Sequence, residues 1–237
     1  MRETFVVGDV HGCLPELTEL LDKAKYDPSR IRLIFVGDLV DRGPDSKGVV
    51  DLVRSLNAEC IRANHEDRLI RYFRHELIRK ETGQKNPVYL SEHKQAVYKS
   101  LSEDDLVWMA SLPYTTNISD KAYAVHAGCE PNKHFIDQDP DQLIRCRYVN
   151  DKGRSQPLPK DKSQPKGTKF WAEAWDQPYD IVFGHNVFAG APVVFKNKNN
   201  TCFGIDGGAC FGGMLIGMWY ERKEFVSVKA RKDYWKR

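Results

Sequence analysis

Apolar residues recur along this chain with two periods. Residues 4–7 form a short β-branched run closed by Gly8-Asp9, and residues 14–25 follow with Leu17, Leu20 and Leu21 at helical spacing. Residues 32–36 are a second buried run, ending at Gly37-Asp38. Residues 46–56 carry Val49, Val50 and Val53 on one helical face, and residues 59–62 end before Asn64-His65. This β-α-β-α-β alternation, with connections of helical length, predicts an α/β fold whose central strands are parallel and buried. The pattern then changes. Residues 66–81, 91–101 and 103–112 read as helices, with Leu69, Ile70, Phe73 and Leu77 on one face of the first and Ser102 as N-cap of the third. A helical insertion at about 66–113 is therefore expected. Strands return at 115–118 and 122–125, and later at 181–183, 193–195, 202–205, 214–219 and 224–230, the last two as a hairpin. Residues 150–169, rich in proline and lysine, read as a long exposed loop.

Bulk properties narrow the class. With 237 residues, 41% hydrophobic and 29% charged, the chain can bury a sizeable core and reads as one soluble globular domain over 1–237. A net charge of +3 is too mild to indicate nucleic acid. The cysteines at 13, 60, 129, 146, 202 and 210 form no CxxC pair, which argues against a zinc knuckle and for free thiols. Only three residues precede the first apolar run, and no stretch reaches the roughly 20 apolar residues of a membrane span, so a cytoplasmic location is expected.

The chemistry sits where the strands stop. Gly8-Asp9-Val10-His11-Gly12, Gly37-Asp38-Leu39-Val40-Asp41-Arg42-Gly43, Ala63-Asn64-His65-Glu66, His126-Ala127-Gly128 and Gly184-His185-Asn186 each place Asp, Asn or His beside a small residue. Ligands of an open α/β sheet bind beyond the carboxyl ends of its strands, so these five ends are expected on one rim. Carboxylate, carboxamide and imidazole together suit Mn, Fe, Zn or Ni. Asp9, His11, Asp38, Asn64, His126 and His185 exceed the needs of one tetrahedral ion and would serve two ions sharing a carboxylate.

In order and spacing these motifs resemble the phosphoprotein phosphatase family of metallophosphoesterases, whose pattern reads GDxHG, GDxxDRG, GNHE, HAG and GH. The resemblance extends from Gly8 to the Gly204-Ile205-Asp206-Gly207-Gly208 segment. It implies a calcineurin-like α/β fold, a β-sandwich flanked by helices in α-β-β-α layers. It assigns Asp9, His11 and Asp38 to one metal, and Asp38, Asn64, His126 and His185 to the other, with manganese first and iron, zinc or nickel as alternatives. It also assigns His65 and Asp41 as an acid pair, in which an imidazole protonates the leaving group and a carboxylate fixes its tautomer. Arg42, beside Asn64, is expected on phosphate. A second arginine is expected between the HAG and GH motifs, where Arg145 and Arg147 would share a face of an extended segment. Three departures are Ala63 for the glycine of GNHE, Asn186 for the threonine after GH, and Gly207 for the threonine of IDTG.

The expected reaction is in-line attack on phosphorus by a hydroxide held between two divalent ions. Two substrates compete. Asp41-Arg42-Gly43 and Glu66 are similar to serine/threonine protein phosphatases, which act on phosphoproteins or small phosphomonoesters. The segment 103–113, Cys129-Glu130-Pro131 and Gly43-Pro44-Asp45-Ser46 are similar to bacterial diadenosine tetraphosphatases. A non-catalytic metal- or RNA-binding module is the alternative of another class, disfavoured because binding needs no Asp41–His65 pair. Phe170, Trp171, Trp175 and Tyr179 are read as core packing, and His75, His93 and His134 as ordinary surface or packing residues.

Overall fold

The computed structural model of the protein describes residues 2–188 and 190–236. Two five-stranded sheets face each other. The first takes β1 (Glu3–Val7), β2 (Ile31–Phe35) and β3 (Glu59–Cys60). The second takes β4 (Thr115–Ser119) and β5 (Ala122–Val125). A small third sheet is made of β6 (Tyr148–Val149), β7 (Ser155–Gln156) and β8 (Lys169–Phe170). The chain then returns through β9 (Asp180–Phe183), β10 (Val193–Lys196) and β11 (Thr201–Gly204) to the second sheet, and through β12 (Met214–Trp219) and β13 (Glu224–Lys229) to the first. The strand orders are β13-β12-β1-β2-β3 and β10-β11-β9-β5-β4. β1, β2 and β3 are parallel, as are β5, β9 and β11, whereas β12 runs antiparallel to β1.

The period of two along each strand divides the core into layers. Phe5, Val7, Leu33 and Phe35 point outward beneath helices α1 (Leu14–Lys23) and α2 (Ser46–Ser55). The same outer layer holds α3 (Asn64–Thr82), α4 (Glu92–Ser100) and α5 (Glu103–Ser111). Val6, Ile34 and Val36 point inward to meet Ala124, Val182 and Ile205 of the facing sheet. On the far side Val125, Ile181 and Phe183 pack against Phe170, Trp171 and Trp175, with α6 (Pro140–Leu143) and α7 (Trp171–Ala174) over them. Strands covered on both faces must be apolar throughout, which explains their continuous runs. The layers are α-β-β-α, as the resemblance implied.

Some boundaries differ from the expectation. α3 begins at Asn64 rather than at 66, because the Glu66 carboxylate accepts the Ala63 N–H at 3.2 Å, the half of a capping box that alanine leaves possible. β3 stops at Cys60 because Arg62 N–H turns away to the carbonyl of Pro113, 2.7 Å off. Residues 150–169 are not structureless throughout: they contain β7 and the first residue of β8. No helix among the described residues is long and apolar enough to cross a membrane. The six cysteines are free and buried.

Candidate active site

Both sheets present the carboxyl ends of their parallel strands on one rim. The loop after β1 supplies Asp9 and His11, and the loop after β2 supplies Asp38, Asp41 and Arg42. The first turn of α3 supplies Asn64 and His65. His126 follows β5 directly, and His185 lies two residues past the end of β9. Hydrogen bonds lace these loops across the sandwich. His185 N–H donates to Asp9 Oδ2 at 2.9 Å, and His126 Nδ1 lies 2.9 Å from the Val36 carbonyl oxygen. Glu66, fully buried, accepts from the backbone N–H groups of Asp38 (3.1 Å), Leu39 (2.8 Å), Val40 (3.2 Å) and Ala63 (3.2 Å). One carboxylate thus ties the β2 loop to the start of α3.

The clamped loops hold unusual backbone. His11, Asp38, Asp41, Arg42 and His185 have φ values of 48°, 49°, 75°, 69° and 64°, the left-handed region that side chains seldom adopt. Space is equally constrained. A Cβ on Gly184 would collide with Asp9 Oδ1, so glycine there keeps the carboxylate in place. Ala63 is extended (φ −116°, ψ 178°), so its replacement of glycine is tolerated by the backbone.

The donor set fits a pair of cations. His11, Asp38 and His65 place ligand atoms within 4.8 Å of one another, and so do Asp38, His126 and His185. Asn64 Oδ1 is 2.9 Å, and His185 Nδ1 3.1 Å, from His126 Nε2. Burial pushes the His11, His126 and His185 imidazoles below their ordinary value, and Nδ1–H of His11 and of His126 donates to the Val40 and Val36 carbonyl oxygens, which leaves the Nε2 lone pairs of these two facing inward. Burial, then Asp206 and Asp38, push the Asp9 carboxyl well above the usual range, and Asp9 Oδ1 is buried without a hydrogen-bond partner among the described residues. Such crowding of buried carboxylates and imidazoles calls for positive charge between them. Asp206, 3% exposed, is a member of this cluster that the motif reading left without a role.

His65 and Asp41 are paired as expected. His65 Nδ1 is 2.6 Å from Asp41 Oδ2, and its Nε2 is 2.9 Å from Arg42 Nη2. A guanidinium only donates, so His65 accepts at Nε2 and carries its proton on Nδ1, towards Asp41. Arg42 Nη1 also lies 2.7 Å from His11 Nε2. Two further residues reach this pair from α4. Lys94 Nζ contacts Asp41 Oδ2, His93 Nε2 is 3.2 Å from Asp41 Oδ1, and His93 also accepts the Arg42 N–H at 3.0 Å. His93 therefore does more than the ordinary surface or packing role expected from the sequence.

The two arginines of the 143–147 segment part company. Arg145 lies in a turn after α6, pairs with Asp67 (2.6 Å) and Asp141 (2.5 Å), and lines the cleft over the site. Arg147 is turned inward, bonding Asn186 Oδ1 and the His185 carbonyl oxygen (3.3 Å). The two do not share a face because the segment is a turn, not a strand. Asn186, the departure after Gly184-His185, is thus the partner of Arg147. The cleft has a volume of about 390 Å³ and is lined by Arg42, Asn64, His65, Arg68, Arg71, Lys94, Arg145 and His185.

The rim of an α-β-β-α sandwich thus presents two groups of His and Asp able to hold a metal ion, and comparison with known proteins shows the class of enzyme. The Calcineurin-like phosphoesterase family matches residues 4–213, and the chain belongs to it. It is an enzyme of phosphoric ester or anhydride hydrolysis, and the family uses a dinuclear divalent metal site. It is 30% identical to the asymmetrical bis(5′-nucleosyl)-tetraphosphatase PrpE of Oceanobacillus iheyensis, over 97% of this chain and 93% of that one. It is 28% identical to the symmetrical bis(5′-nucleosyl)-tetraphosphatase of Photorhabdus laumondii, over 96% and 97%. Among solved structures, one provisionally described as a diadenosine tetraphosphatase superposes with a TM-score of 0.77 at 24% identity, covering 97% of this chain and 94% of the other.

Proposed function

We propose that the substrate is a dinucleoside polyphosphate, and that the bond broken is a phosphoanhydride. The observation that carries this reading over a phosphoprotein is the cleft itself. Arg42, Arg68, Arg71, Lys94 and Arg145 line it, and among the described residues no carboxylate does. One phosphoryl group needs one arginine fork and the metals, whereas a chain of phosphates needs cations along its length. The relatives named for bis(5′-nucleosyl) tetraphosphate hydrolysis support the same choice.

Asp9, His11 and Asp38 would hold one divalent ion, and Asp38, Asn64, His126 and His185 the second, with manganese first and iron, zinc or nickel as alternatives. When bound, such a pair lowers the pKa of water and neutralises phosphoryl charge. Arg42 turns its fork from His11 and His65 onto the phosphate oxygens, with Asn64 beside it. That movement frees the His65 Nε2 lone pair, which takes up a proton from solvent; the imidazolium so formed gives that proton from Nε2 to the leaving-group oxygen while its Nδ1–H stays on Asp41. Asp41 holds Nδ1 and so fixes which nitrogen is available. Arg145, at the mouth of the cleft, faces the outer phosphates. Arg147 braces the His185 loop through Asn186.

The test is turnover with manganese on diadenosine tetraphosphate, p-nitrophenyl phosphate and a phosphoseryl peptide. The reading requires the highest kcat/KM on the dinucleotide. A higher value on the peptide overturns it in favour of a protein phosphatase.

A further inference from the structure

A second depression of about 680 Å³ lies beside the cationic cleft, lined by Tyr72, Arg79, Pro87, Val88, Tyr89 and Gln95 among others. Its walls continue those of the cleft. On α3 the lining passes from Arg71 to Tyr72, and on α4 from Lys94 to Gln95. Arg68 joins the two: its Nη2 donates to the Tyr89 carbonyl oxygen at 2.8 Å while its side chain lines the cleft. Its Nε is buried without a hydrogen-bond partner among the described residues.

α3 orders these groups. His65, Arg68 and Tyr72 follow at i, i+3 and i+7, one face of a helix, so Arg68 and Tyr72 stand roughly 4.5 and 10 Å along the axis from His65. The face runs from the proton donor, past an arginine, to an aromatic wall. At its end Tyr89 is 73% exposed, an unusual position for an aromatic ring that packs nothing of the core. Tyr72, by contrast, is held edge-on against Tyr98, with ring centroids 4.9 Å apart.

We infer that this depression receives a nucleoside of the substrate, with Tyr89 as the stacking surface for its base and Arg68 as the phosphate contact between groove and site. The assignment rests on the dinucleotide reading above. A purine is flat and apolar on its faces, which suits Tyr89, Pro87 and Val88. It is tethered by negative charge, which suits Arg68 and the cleft. A phosphopeptide would have no reason to place an aromatic plane at the end of a cationic track.

The experiment compares wild type, Tyr89→Ala, Tyr89→Trp and Arg68→Met, all manganese-loaded, on diadenosine tetraphosphate, inorganic tetraphosphate and p-nitrophenyl phosphate. Base stacking on an aromatic ring corresponds to roughly a 5- to 150-fold effect. Tyr89→Ala is expected to lower kcat/KM on the dinucleotide about tenfold relative to both other substrates, chiefly through KM, and Tyr89→Trp to restore it. Arg68→Met should lower both polyphosphates relative to p-nitrophenyl phosphate. Equal loss on all three substrates in Tyr89→Ala, or no loss on any, overturns the groove. Wild type that cleaves p-nitrophenyl phosphate and not the dinucleotide overturns the substrate reading beneath it, an outcome distinct from a dinucleotidase indifferent to Tyr89.

Discussion

Replacing Glu66 by Gln removes one atom's acceptor capacity from the middle of the site while changing almost no volume. Glu66 Oε1 takes the N–H groups of Leu39 and Val40, and Oε2 takes those of Asp38 and Ala63. Whichever way a glutamine amide is turned, two of the four backbone donors meet an NH₂ instead of an oxygen. A buried donor left unpaired costs about 1–3 kcal/mol, so the loss is roughly 2–6 kcal/mol. For a chain of this length about 1 kcal/mol moves the midpoint of thermal unfolding by roughly 2–4 °C, and a loss near 3 kcal/mol gives about 6–12 °C. Calorimetry in chelator isolates the fold from the metals. The clamp holds four donors only while Glu66 is ionised. Burial and Asp38 push its carboxyl up to about 7, while the N–H donors pull the other way. A glutamine mimics a protonated carboxyl well, so a shift below about 2 °C would show that Glu66 is held as the neutral acid and would refute the clamp.

Chelation is expected to abolish hydrolysis and manganese to restore it at two ions per chain. Asp38→Asn should lose both ions where Asp9→Asn loses one, read by metal analysis of folded variants; full activity with a single ion would sink the dinuclear assignment. His65→Asn should keep its metals and lose about 10²–10⁴-fold in rate on an alkyl phosphate, with a smaller loss on p-nitrophenyl phosphate, whose leaving group needs no proton. Equal losses on both would reassign His65 to positioning. Lys94→Ala removes a cation from the cleft and a contact from Asp41. It should lower kcat/KM on inorganic tetraphosphate more than on p-nitrophenyl phosphate, and a uniform effect would mark Lys94 as a support for Asp41 alone.

The strand ends were legible because each couples a local signal, an apolar run, to a ligand-type residue immediately after it. Layering followed from the same runs, since strands buried on both faces show no polar alternation. His93 and Lys94 were not legible. They meet Asp41 from more than 50 residues away, and nothing in their surroundings distinguishes them from other polar residues of α4. The inward turn of Arg147 was hidden for a related reason: the segment is short, and whether it is strand or turn is decided by the packing of Leu143 and Cys146, not by its own composition. Two-residue strands such as β6, β7 and β8 carry too little sequence to show a period. Asp206 sits in a matched segment, but its proximity to Asp9 arises only when the two sheets close.

The left-handed backbone of His11, Asp38, Asp41, Arg42 and His185 has an evolutionary reading. Each such residue costs about 1 kcal/mol or more that the rest of the molecule must offset, and glycine would remove the steric part of that cost. Selection for heat tolerance alone would therefore act against the side chains that selection for turnover retains. A descendant freed from catalysis would gain by accepting glycine at these five positions, and Asp41 and Arg42, with the largest φ of the set, would relax first. Glycine at those two places, in a chain that keeps the sandwich, would mark a lineage that has kept the fold and abandoned the reaction.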